Sequence, residues 1–147
     1  MLYLLILTDP ALSYDNYSED FYIGFFLTEQ QAQETAQFYL HNIRGFCDFP
    51  CTYRIVKKDI ADNINNITPE TIWMVQGWNI NENFDEIDIV ESSCFLIKEH
   101  AQEELQRMQN RYQRIEWVLD CSIIGNLGWR EGFVRIVNGQ PASTTKT

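Results

Sequence analysis

The segment FLTEQQAQETAQ at residues 26–37 returns 69 positions later as FLIKEHAQEELQ at residues 95–106. Phe26, Leu27, Ala32, Gln33, Glu34 and Gln37 are matched by Phe95, Leu96, Ala101, Gln102, Glu103 and Gln106. A chain that writes the same junction twice is restricted to folds that can be built from two similar pieces. The same offset lays YLLILT (3–8) on IWMVQG (72–77), both short and largely apolar, as buried strands are. A polar, turn-rich stretch follows each, and then a second apolar run, FYIGFFL or IVESSCFLI, that leads into the helix. After the helix, TYRIVKKDI from Thr52 and IEWVLDCSII from Ile115 read as third strands, with a shorter connection in the second copy.

The helical segments carry matching apolar stripes. Ala32, Ala36, Tyr39 and Ile43 recur at spacings of four, three and four, as do Ala101, Leu105, Met108, Tyr112 and Ile115 with one further step. Thr28 followed by Gln31 has the form of a capping box. The expected fold is therefore α+β: tandem β-β-α-β repeats at about 1–60 and 70–125 within one compact domain. In each repeat the strand–helix–strand portion implies a right-handed parallel crossover, and the preceding strand can lie between the two, a split β-α-β arrangement of ferredoxin-like character. Both helices should cover one face of an antiparallel or mixed sheet, with pseudo-twofold symmetry between the copies. Two copies can share one six-stranded sheet or form two. A tail strand is expected over 129–137, and 138–147 is expected to be disordered.

Three segments, IGFFLTEQQA, RGFCDFP running into YRIVKKDI, and the later W-x-E-G-F of Trp129, Glu131, Gly132 and Phe133, together resemble a small uncharacterised α+β domain family of bacteria and phages. The resemblance covers residues 3–60 and the ending. It implies a fold and carries no catalytic residue. Here the ending comes after a second, degenerate body, so the chain resembles a duplicated or extended member.

Charge narrows the function. The net charge is −10, and neither residues 1–43 nor residues 59–97 contain a Lys or Arg. Phosphate backbones repel such a surface, so no nucleic-acid partner is expected. The opening MLYLLIL has no basic flank and breaks at Thr8, Asp9 and Pro10, unlike a signal peptide, and no apolar run is long enough to span a membrane. A cytoplasmic location follows. There Cys94 and Cys121 read as small buried hydrophobes, while Cys47 and Cys51 form a C-x3-C pair that is half a zinc site without its partner knuckle, so no metal is assigned. Asn79, Asn81, Asn83 and Asp85 alternate as calcium ligands do, but Phe84 and Val90 stand where the required glycine and glutamate belong, which favours a solvated turn. GNLGWREG lacks both the glycine spacing and the following helix of a phosphate cradle, and no cofactor is expected. His41 and His100 belong to no catalytic motif.

A non-catalytic interaction or regulatory module fits these features best, for instance an acidic immunity-type or inhibitor protein for a basic partner, or a homodimer. Arg107, Arg111 and Arg114 are expected as a stripe on the second helix, with Glu103 placed to pair with Arg107. Together with Asp85, Glu86 and Asp88 they are the candidate partner surface. The alternative is a small-ligand site or small enzyme between the repeats, lined from among Tyr3, Trp73, Trp78, Trp117 and Trp129. Trp78, Trp117, Trp129 and Glu131 are its candidate ligand contacts.

Overall fold

The computed structural model describes residues 1–10, 19–62, 68–83, 86–137 and 139–141. The chain is α+β, with two helices and two three-stranded antiparallel sheets. It divides into two compact units: one comprises Leu2–Lys57 and the chain from Gly125 onward, the other Lys58–Ile124 with Met1. In chain order the second unit is thus inserted into the first, between its third strand and its tail.

In the first unit the strands are β1 (Leu2–Asp9), β2 (Glu19–Phe26) and β3 (Thr52–Lys58), in the order β2-β1-β3, and the helix α1 covers Glu29–Asn42. The central strand β1 is buried at Leu2, Leu4, Leu5, Ile6, Leu7 and Asp9, which is why it reads as a continuous apolar run rather than an alternating one. Thr28 caps α1 by accepting from the Gln31 amide at 3.1 Å, and Ala32, Ala36 and Tyr39 are the helix's buried residues. The two alanines bring the helix close to the sheet, where Leu5, Leu7, Phe21, Ile23 and Phe26 complete the core with Phe46, Phe49 and Cys51.

The second unit repeats this order with β4 (Thr71–Ile80), β5 (Glu86–Glu91), α2 (Lys98–Arg111) and β6 (Glu116–Ile123), its sheet running β5-β4-β6. The correspondence extends to register. Adding 70 to the first-strand numbers and 69 to the second-strand numbers turns the pairs Tyr3↔Phe26 and Ile6↔Tyr22 into Trp73↔Phe95 and Gln76↔Glu91, both of which are observed. The first hairpin shifts register between Leu5 and Ile6. At the corresponding place in the second, Ser92 receives and gives hydrogen bonds to Val75 and strand β5 has already ended.

The second helix departs from its expected form. It ends at Arg111, so Tyr112 is its C-cap and Arg114 lies in the turn beyond. The expected arginine stripe therefore loses one of its three members. Ile97 provides no side-chain cap. Instead Asp62, from outside the helix, accepts from the amides of Leu96 at 2.6 Å and Ile97 at 3.0 Å and pairs with His100 at 2.9 Å. Burial works against the Asp62 charge, but the Leu96 amide, the His100 ring and the Ile97 amide outweigh it and hold the carboxyl below its ordinary value.

The tail returns to the first unit. Phe133 stacks on Phe21 with centroids 4.7 Å apart and meets Phe46 edge-on at 4.9 Å. Its amide donates to the Arg44 carbonyl at 3.1 Å. The two loops cross closely enough that a Cβ on Gly132 (φ 76°) would lie 1.9 Å from the Arg44 oxygen, and one on Gly45 (φ 84°) 2.5 Å from Phe133. Only glycine fits at either position, by both space and backbone angle. Further on, Arg135 forms a buried two-point ion pair with Asp9, its Nε 2.8 Å from Oδ2, and lies 3.7 Å over the Phe49 ring. Among the described residues the tail's strand structure is a small hairpin of β7 (Ile136–Val137) and β8 (Gln140–Pro141), in place of a strand over 129–137.

Candidate functional site

Along α1, Glu34, Thr35, Phe38 and Tyr39 occupy neighbouring positions on one face, and Ile43 follows at the cap. Against them the tail sets Leu127 and Arg130. Together these seven residues line an open groove of about 420 Å³, within the roughly 300–1,000 Å³ range of small-molecule sites. Its lining is mostly apolar, with Glu34 and Arg130 as the two charged members. Phe38 is 55% exposed beside the helix's buried stripe and so offers apolar surface to the groove.

The wall opposite α1 is held by backbone contacts. The Tyr39 hydroxyl donates to the Gly128 carbonyl at 2.9 Å, and the Gly128 amide donates to the Ile23 carbonyl at 2.7 Å. Burial pushes the Tyr39 hydroxyl pKa up, and the nearby Arg130 charge offsets part of that rise. Immediately after this doubly anchored Gly128, Trp129 adopts φ 58°, the left-handed region that costs a bulky residue about 1–2 kcal/mol. Its ring rests edge-on against Phe21 at 4.8 Å yet stays 46% exposed. Arg130 gives one hydrogen bond, to the Gly125 carbonyl at 3.3 Å, and forms no ion pair with any carboxylate of the described residues.

The residues singled out from the sequence are distributed as follows. Trp129 and Glu131 belong to the first unit, beside the groove, with Glu131 exposed in the turn. Trp78 and Trp117 belong to the second. Trp78 stands opposite Glu116 in the β4–β6 register, while Trp117 lies across Gly77, packs 6.0 Å from Tyr112 and donates its indole N–H to the Tyr112 carbonyl at 3.3 Å. Arg107 pairs with Glu104, Nε to Oε2 at 3.0 Å, rather than with Glu103, and Arg111 lies 5.2 Å over the Tyr112 ring. Asp85 lies outside the described residues, as do the side chains of Glu86 and Asp88.

Other reactive groups have structural surroundings. Cys94 is fully buried, and burial pushes its thiol up to about 11, far from the thiolate that nucleophilic chemistry needs. Cys121 is exposed on β6, correcting its expected place in the core. In the second unit Lys58 pairs with Glu91, while burial and the Glu91 charge raise the Asp120 pKa. Asn81 accepts from the Asn83 amide at 2.9 Å, the local hydrogen bond of a turn, and Phe84 and Asp85 lie outside the described residues. Among the described residues no group of three or more His, Cys, Asp or Glu side chains is placed to hold a metal ion, and no helix is long and apolar enough to cross a membrane.

Sequence reasoning passed over Glu34, Thr35, Phe38, Leu127 and Arg130. The usable signal was Phe38, a large apolar side chain adjacent to the buried stripe but not part of it. Comparison of the chain with protein-family models, with curated proteins and with solved structures gives no match.

Proposed function

We propose that this chain acts by binding rather than by a chemical step, and that its binding element is the groove between α1 and the tail. The observation that carries the reading is the groove itself: an apolar floor with an exposed phenylalanine, rimmed by opposite charges. It is backed by a tail loop in which a non-glycine residue is held at a positive φ. Strain of that kind concentrates where a loop is positioned for recognition. This groove is a different site from the small-ligand alternative drawn from the sequence, which lay between the two repeats with Trp78, Trp117, Trp129 and Glu131 as contacts; it lies within the first unit and is lined by none of those four.

The test is a fragment screen by two-dimensional NMR on the full chain. Fragments with apolar bodies should shift the Thr35, Leu127 and Arg130 signals, and Phe38→Ser should weaken them without altering the fold. Hits distributed elsewhere, or unaffected by that substitution, would refute the assignment.

A second reading has its own support in the net charge of −10, which suits a protein module that neutralises a basic partner or pairs with another copy, within the cytoplasm. Co-purification that weakens as salt rises would favour it, and recovery of the chain alone at every salt concentration would count against it.

The two units are further proposed to be copies of one β-β-α-β repeat of split β-α-β, ferredoxin-like character. The shared strand order and the parallel offsets in register support this. The motifs on which the family resemblance was drawn meet in the fold: Phe133 packs edge-on against Phe46 and borders Gly45, and Gly132 faces the Arg44 carbonyl.

A further inference from the structure

We infer that the groove takes a small free carboxylic acid with an aromatic or branched apolar body, the carboxylate meeting Arg130. The inference rests on the groove being the binding element and adds the chemical class of its ligand. Among the described residues Arg130 is the only cation lining the groove, and they supply it with one carbonyl hydrogen bond and no ion-paired carboxylate. A guanidinium has five donors in a planar fork that matches a carboxylate, so one bond to Gly125 leaves most of that capacity unused. Phe38, Ile43, Leu127 and the Tyr39 ring provide apolar surface beside it.

The other charge in the lining, Glu34, already accepts from Gln30 at 3.1 Å. It repels an anion, so the acid is oriented with its charged end towards Arg130 and its apolar body along the helix. Trp129, immediately before Arg130, has the positive φ that sets the course of this turn. The site is therefore a charged residue carried on a constrained loop over an apolar floor, the general form of an organic-anion site.

The test compares three probes with the same apolar body, 3-phenylpropanoate, 3-phenylpropanamide and 3-phenylpropylamine, titrated into the full chain and followed by NMR. The acid is expected to bind roughly three- to tenfold more tightly than the amide, the yield of a partly solvated charge-assisted contact. Arg130→Gln should erase that advantage while leaving the amide unchanged, Arg130→Lys should keep part of it, and Glu34→Gln should tighten the acid alone. Arg130 and Glu34 are both exposed, so the substitutions leave the core intact. An acid no tighter than the amide, with both weakened by Phe38→Ser, overturns the carboxylate inference and leaves the groove standing. The amine binding most tightly overturns it in favour of a cationic ligand at Glu34. No probe shifting the groove signals at millimolar concentration overturns the groove reading as well.

Discussion

Replacing Asp9 with Ala removes one half of an ion pair whose two members are 126 residues apart and both buried, the carboxylate fully and the guanidinium nearly so. The cost is set mainly by what remains. Arg135 keeps its position over Phe49 but loses both carboxylate bonds in a site with little access to water. Breaking a buried pair in this way costs about 3–5 kcal/mol. The ring contact retained by Arg135 places the expected value near the lower end, about 3 kcal/mol, enough to lower a urea midpoint by roughly 1–2 M. The Trp129 indole signal reports the first unit during a urea titration and that of Trp117 the second, so the loss should be seen at Trp129. The companion variant, Asp9→Val with Arg135→Met, removes both charges, and its stability should lie within about 1 kcal/mol of the natural chain. A double-mutant cycle using Asp9→Val, Arg135→Met and both together should therefore show a coupling of at least about 2 kcal/mol. Additivity within about 0.5 kcal/mol would refute the argument, because it would mean that the two residues do not act as a pair.

Gly132→Ala should cost at least about 3 kcal/mol, since the new Cβ collides with the Arg44 carbonyl and the backbone must also hold alanine at φ 76°; urea unfolding at the Trp129 signal measures it. Asp62→Asn should destabilise α2 by about 1–2 kcal/mol near neutral pH. Because the folded Asp62 pKa lies below its unfolded value of about 3.9, its contribution is present above that value and is lost as pH falls through the folded one, so the variant's stability should fall less steeply below about pH 4. Native-state alkylation at pH 8 followed by mass spectrometry should label Cys121 well before Cys94, with the difference abolished in urea. Phe38→Ser should change the free energy of urea unfolding by less than about 0.5 kcal/mol, as expected for a side chain more than half exposed.

What could be read from the chain was whatever depends on local periodicity. Ala32, Ala36 and Tyr39 recur at helical spacing and are buried, Thr28 caps the helix, and the apolar runs at 3–8 and 72–77 are central strands. The end of α2 was misjudged because Tyr112 and Ile115 continue the apolar rhythm although the chain leaves the helix at Tyr112. The α2 cap was hidden because Asp62 is distant in sequence and the adjoining Ile97 gives no hint of it. The groove was hidden for a similar reason: α1 supplies one wall, while Leu127 and Arg130 arrive only when the tail crosses the loop at Arg44. Phe38 marked the place, but a single exposed aromatic does not identify what faces it.

The return of the tail also orders events during synthesis. Chains emerge from the ribosome N-terminus first, and domains generally fold as they become complete. The unit translated first here cannot finish its aromatic core until Phe133 has emerged, nor form the Asp9–Arg135 ion pair until Arg135 follows. The inserted unit, contiguous from Lys58 to Ile124, has all its strands available earlier. Once folded, it turns a long connecting loop into a compact body and reduces the chain entropy lost when the two ends are brought together. The last stretch made is thus the one that commits the first stretch to its native state, so a ribosome-held chain with β6 clear of the exit tunnel and the tail still inside it should carry a folded insert and an unfinished host.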